Sequence, residues 1–134
     1  MIFIHHIRKM KEYGYVFVLI LLLSVLPAAG QKSKADKLFA DKQYYAAAQI
    51  YEKEADNAKA EILPAIQLNT GICYLNINRP QTALPWLELA AKDENAGGEV
   101  WYQYGLALQQ TGEYHRAISA FEQCLKLQIG RAHV

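Results

Sequence analysis

The sequence has almost no net charge. Its 134 residues carry 14 lysines and arginines against 13 aspartates and glutamates. A chain this close to neutral lacks the basic surplus that neutralises phosphates, so nucleic acid is not an expected partner. Cysteine is scarce, with two in the chain, which excludes a disulfide-dense fold and a cysteine-built metal centre. Histidine is as sparse: between Gln31 and Gln128 only His115 occurs, expected on the exposed side of a helix start. The sequence has no glycine-rich phosphate loop, no Ser-His-acid set and no Cys pair at metal-ligand spacing. Catalysis, a metal and a cofactor are therefore not expected. The carboxylate pairs Asp93-Glu94 and Glu52-Glu54 fall near a helix end or on a polar face, where solvated charge accounts for them. What is plentiful is apolar. At 52% hydrophobic the chain is too apolar for a disordered tail, and its length suits one small domain.

A long hydrophobic run is also missing, since spanning a bilayer takes about 20 apolar residues. The longest stretch, Tyr15 to Leu26, is shorter and is interrupted by Ser24. Arg8, Lys9 and Lys11 precede it, and Pro27-Ala28-Ala29-Gly30 follow. Basic, then apolar, then small is the order of a secretory signal. We expect residues 1–30 to be an N-terminal signal-peptide helix cleaved after Gly30, with Ala28 and Gly30 at the small-residue subsites and Gln31 opening the mature chain. A retained membrane anchor is the alternative. No Cys follows the apolar run, so lipid attachment there is not expected.

At the other end, residues 129–134 (IGRAHV) are the translation of ATC GGA AGA GCA CAC GTC, a string that looks like a sequencing adapter. The native sequence is accordingly expected to stop near Gln128, leaving a fragment. Residues 31–128 then keep ten basic and twelve acidic side chains, a net charge of −2. Cys73 and Cys124 each occupy a small-residue slot in the pattern below and are expected as separate buried thiols.

That pattern is an internal repeat. Gly71 and Gly105, Tyr74 and Leu108, Ala83 and Ala117, Leu87 and Phe121, Ala90 and Cys124 are all 34 residues apart. Apolar residues at i, i+3, i+4 and i+7 give each of two short helices one stripe, and small residues recur where the two backbones approach. Gly105 and Ala117 are expected to let the helices of one hairpin close, Tyr114 and Phe121 to fill the groove between them, and Gly112 to make the turn. An earlier copy has Ala35, Leu38, Tyr44, Ala47 and Tyr51 in matching places at a spacing of 36. Its two extra residues belong to a longer second helix or to a longer turn near Asn57 to Glu61. The periodicity predicts helices over 32–41, 44–59, 62–77, 80–92, 98–111 and 114–128. Pro64 and Pro80 fall in first turns, where a missing N–H costs little. Pro85 falls deeper and predicts a kink, and Pro80 in place of an aromatic predicts looser packing of the second copy.

The third copy, with Trp101, Tyr104, Gly105, Leu108, Gly112, Tyr114, Ala117, Phe121 and Cys124 in order, resembles the tetratricopeptide repeat (TPR) family. The resemblance implies an all-α TPR solenoid of three helix-turn-helix repeats: a degenerate first at 31–61, a second at 64–97 and a third at 98–128. It also implies a concave face lined by the first helix of each repeat. Carried over, the family's groove positions fall on Lys32, Asp36, Phe39 and Ala40, on Ala65, Leu68, Ile72, Leu75 and Asn76, and on Glu99, Tyr102, Leu106, Gln109 and Gln110. Of these, Phe39, Leu68, Ile72, Leu75, Asn76, Tyr102, Leu106, Gln109 and Gln110 are the expected protein-binding residues. Leu68, Ile72 and Leu75 fit equally well as packing between helices.

A carboxylate clamp of the kind some TPRs use is not expected. Lys32 and Asn69 match clamp positions, but Asp36, Glu99 and Gln103 do not, and two of those three would repel a carboxylate. The expected function is a non-catalytic protein-protein interaction scaffold holding a peptide or partner protein. With a signal sequence ahead of it, the chain is similar to Gram-negative envelope proteins that carry TPRs before a β-propeller and an OmpA-like domain. Periplasm or cell envelope is the expected location, and peptidoglycan association would come through domains beyond the repeats. The alternative is the TPR adaptor of a larger protein whose missing part is catalytic or peptidoglycan-binding. A last helix without a polar cap favours a longer chain.

Overall fold

The computed structural model describes Arg8, Lys9 and residues 32–132. Apart from those first two residues, the expected signal peptide lies outside the described residues. From Lys34 onward the chain forms α1 (Lys34–Ala40), α2 (Tyr44–Asn57), α3 (Leu63–Asn76), α4 (Pro80–Ala91), α5 (Gly98–Gln110) and α6 (Tyr114–Ala132), with no strand among the described residues. Each helix packs on the next, and α3 also touches α5. This is the expected all-α stack of three hairpins, and its helix boundaries depart from the periodicity at few places.

Local chemistry explains most boundaries. Helix α1 starts later than expected because Ser33 caps it. The Ser33 hydroxyl accepts from the Asp36 amide at 3.2 Å, and the Asp36 carboxylate accepts from the Ser33 amide at 3.1 Å, which satisfies two donors the first turn would leave open. Each hairpin turn closes in the same way. The amides of Gln43, Arg79 and Glu113 each donate at 2.8 Å to the carbonyls of Leu38, Tyr74 and Leu108. The residue before each of those amides is left-handed, Lys42 at φ 60°, Asn78 at φ 59° and Gly112 at φ 84°. These are Schellman closures in register, and Gly112 is the member of the set that adopts the left-handed region freely.

The close approaches are where small residues predicted them. A Cβ on Gly71 would stand 2.4 Å from Leu87 Cγ, and one on Gly105 would stand 2.6 Å from Phe121 Cε1. Ala47, Ala83 and Ala117 are buried at the facing positions. The looser second repeat expected from Pro80 is not seen at this contact, since Pro80 is itself buried in the first turn. Pro85 does not interrupt α4. Pro85 and Gln81, the residue whose carbonyl it cannot bond, are both exposed, so water serves the freed acceptor. The two extra residues of the first repeat lie in a longer helix, α2 having 14 residues against 12 in α4.

Two expectations are corrected. Tyr114 does not fill the groove of its hairpin; it is 64% exposed. Its counterpart Tyr44 is held edge-on by Phe39, with ring centroids 5.6 Å apart. The third repeat has Gln109 in the place of Phe39, so Tyr114 has no aromatic partner to cover it. Helix α6 also continues to Ala132 rather than stopping at 128.

Polar links stitch neighbouring helices. The buried Tyr51 hydroxyl on α2 donates to Asp36 of α1 at 2.6 Å and accepts from Asn69 of α3 at 3.3 Å. Tyr74 of α3 donates to Glu52 of α2. Arg116 of α6 reaches Glu88 of α4 at 3.3 Å and Glu113 at 2.6 Å, and donates to the Tyr104 hydroxyl of α5. Cys73 and Cys124 are free and buried, as expected.

Candidate protein-binding groove

Residues at i, i+3 or i+4, i+7 and i+11 share a helix face, and on α5 Glu99, Gln103, Leu106 and Gln110 stand in that relation. Because α3 and α5 touch directly, this face meets the end of α3. Leu75, Asn76, Gln103, Leu106 and Gln110 together line a shallow groove of about 300 Å³. Four of the nine residues expected from the sequence are thus brought into one place: Leu75, Asn76, Leu106 and Gln110.

The other five sit elsewhere. Phe39 is committed to the interior of the first hairpin, edge-on to Tyr44 and, at 6.3 Å between centroids, to Tyr51. Leu68 and Ile72 are half-buried, and Leu68 packs against the core. Tyr102 is 45% exposed and leans over Phe121 at 6.1 Å. Gln109 is exposed near the C-terminus of α5.

The groove is neutral and rich in hydrogen-bonding amides. Asn76 Nδ2 donates to the Ile72 carbonyl at 2.8 Å, and Gln103 Nε2 donates to Glu99 Oε1 at 2.7 Å. Each amide keeps its carbonyl oxygen and one N–H for a ligand, and Gln110 adds a third amide. Glu99, one turn before Gln103 on α5, accepts the hydrogen bond from Gln103. Two leucines with three amides suit the alternating side chains and backbone of an extended peptide. They bring amide donors but no basic side chain to a carboxylate tail.

Gln103 enters the site as a residue the sequence reading had weighed only as a clamp mismatch. Its spacing from Glu99, Leu106 and Gln110 was the signal that placed it there. A second depression of about 510 Å³, lined by Gln49, Glu52, Lys53, Asp56 and Trp86, lies between α2 and α4. A third, of about 260 Å³, is lined by Trp101, Tyr104, Arg116, Ser119, Ala120 and Gln123. Neither was foreseen, because both draw on second helices of the hairpins, whereas the expected groove lies on the first helices. No group of three or more His, Cys, Asp or Glu capable of holding a metal occurs among the described residues.

Residues 98–128, which are α5 and α6 as far as Gln128, match the family model described as tetratricopeptide repeat. No curated protein matches the chain. Residues 98–128 are thus identified as a tetratricopeptide repeat, and the two earlier hairpins share its turn register. Such repeats generally mediate protein–protein interaction.

Proposed function

We propose that the chain is a non-catalytic scaffold that holds an extended peptide segment of a partner protein along α3 and α5. The observation that carries this reading is the neutral groove of Leu75, Asn76, Gln103, Leu106 and Gln110, in which three amides flank two leucines. Recognition there rests on backbone hydrogen bonds and aliphatic pockets, so it is only weakly sensitive to salt. The scaffold works in the periplasm or cell envelope of a Gram-negative bacterium. The basic, apolar and small segments that precede Gln31 support that location.

A photoreactive amino acid placed at Gln110 and, separately, at Gln49 tests the groove. Gln49 is exposed and lines the depression between α2 and α4. A partner cross-linked from Gln110 and not from Gln49, in yield unchanged between low and high salt, supports the reading. Equal capture from both positions refutes it.

A further inference from the structure

The first helices α3 and α5 touch, whereas the second helices of neighbouring repeats make no comparable contact. Each junction between repeats therefore leaves a gap on its second-helix side, and the two gaps differ. Between the second and third repeats a guanidinium crosses it. Arg116 of α6 reaches back to Glu88 of α4 at 3.3 Å, donates to the Tyr104 hydroxyl and lies 5.9 Å from the centre of that ring. Between the first and second repeats the register puts Glu52 where Glu88 stands and Thr82 where Arg116 stands. The carboxylate is kept, and the arginine is not.

What lies at that junction is the depression of about 510 Å³ lined by Gln49, Glu52, Lys53, Asp56 and Trp86. Glu52 and Asp56 are four residues apart on α2, a spacing at which like charges face each other and repel. Neither has a cationic partner, since both ion pairs among the described residues belong to Arg116. Lys53 shares the lining without pairing with either carboxylate, so two acids against one base leave a net charge of −1. Glu52 accepts from the Tyr74 hydroxyl through Oε1, and its Oε2 is left for a ligand. The half-buried Trp86 adds an indole, the ring to which a cation is drawn most strongly.

The sister junction thus shows what such a gap holds. A carboxylate and an aromatic ring grip a guanidinium there, and the same two kinds of group stand open here with a second carboxylate beside them. An ammonium fits less well, because it is more strongly hydrated and cannot stack flat on an indole. A metal ion lacks ligands, since no group of three or more His, Cys, Asp or Glu that could hold one occurs among the described residues.

We propose that this depression binds a small guanidinium compound of about the size of arginine. Its planar cation lies against Trp86 and pairs with Glu52 and Asp56 as Arg116 pairs with Glu88. The site spans one gap between second helices, and it stands independently of the peptide groove along α3 and α5.

The probe is N-acetylarginine amide, titrated at low salt into the nitrogen-15-labelled full chain while the two tryptophan indole N–H signals are followed. Trp86→Phe assigns them by removing one, and Trp101 serves as the internal control. A saturable shift of the Trp86 signal is expected, at a roughly millimolar Kd, with Trp101 unmoved. Asp56→Asn should weaken binding about threefold and Lys53→Ala should tighten it by about as much. Both positions are exposed, so circular dichroism of the variants should match that of the parent. The citrulline analogue, which has the same shape without the charge, is expected not to bind, and the lysine analogue to bind more weakly. No saturable shift at Trp86 overturns the proposal, as does equal binding of the citrulline or lysine analogue, or equal binding by parent and Asp56→Asn. Binding at least about tenfold tighter when the arginine is set within a peptide also overturns it, by making a polypeptide the occupant.

Discussion

Gly71 lies so close to Leu87 that a Cβ on the glycine would stand 2.4 Å from the leucine Cγ. Replacing a helical glycine by alanine ordinarily stabilises by about 0.5–1 kcal/mol. Here the extra methyl must displace a leucine that is wholly buried, and overpacking of that kind costs about 1–3 kcal/mol. The steric effect wins, and Gly71→Ala is expected to lower stability by about 1–2 kcal/mol in urea unfolding. Gly105→Ala should cost less, because the ring it meets belongs to Phe121, which is only half-buried and has room to tilt. A Gly71→Ala protein more stable than its parent would mean that the hairpins are not closed through this contact.

Lys42 holds a left-handed conformation at φ 60° that Gly112 holds at the same place of the third repeat. A residue with a Cβ loses roughly 1 kcal/mol there, partly offset by the greater entropy of glycine when unfolded. Lys42→Gly is expected to raise stability by about 0.5 kcal/mol and Gly112→Ala to lower it by about 1 kcal/mol. Asn78→Gly should do little, since asparagine tolerates this region. The ordering of the three midpoints in denaturant is the check.

These turns show what the sequence can and cannot display. Gly112 announces its turn because glycine is chosen for backbone freedom. Lys42 conceals the same turn, because only the neighbouring hydrogen bond from Gln43 to Leu38 forces it into that shape. The hairpin order and the small-residue contacts were legible because they recur at a fixed spacing. Tyr114 was misplaced for the converse reason: the repeat supplied the tyrosine, but its cover depends on residue 109, where a glutamine replaces the aromatic found at Phe39. The groove was half legible. Periodicity placed Leu106 and Gln110 beside Leu75 and Asn76, whereas the loss of Phe39 to the core depends on rings meeting across α1 and α2.

That contrast gives a paired test. Tyr44 is half-buried against Phe39, whereas Tyr114 is 64% exposed. Tyr44→Ala is expected to destabilise by about 2–3 kcal/mol, below the full cost of deleting a core aromatic. Tyr114→Ala should fall within about 0.5 kcal/mol of the parent, as surface changes do. Thermal unfolding of the two variants side by side decides it; equal losses would show that Tyr114 packs as Tyr44 does.

The proposed export makes a direct prediction about the mature N-terminus. Small residues at Ala28 and Gly30 allow a signal peptidase to cut before Gln31, and the apolar run from Tyr15 is short for a bilayer span. Terminal sequencing of the protein recovered from an envelope fraction is expected to begin at Gln31. An N-terminus upstream of Tyr15 would instead mean that the segment is kept as an anchor.

Alkali should unfold this protein sooner than its modest charge suggests. Burial pushes the Cys73 thiol up from 9.0 to about 12. Burial, with the hydrogen bond to Glu52 and the charge of that carboxylate, pushes the Tyr74 phenol up from 10.0 to about 12. Tyr51 and Tyr104 move the same way, chiefly through burial. In each case the folded protein keeps a proton that the unfolded chain gives up at lower pH. Stability is therefore fully present below about pH 9 and falls as pH rises from there toward 12, at about 1.4 kcal/mol per pH unit for each proton retained. The Tm should be level from pH 6 to 8 and drop above 9. Cys73→Ala places in the second repeat the residue that the third carries at Ala107, and it should flatten the first part of that drop while leaving the part due to the tyrosines. A decline that begins at the same pH with and without Cys73 would show that the thiol is not held protonated by the core.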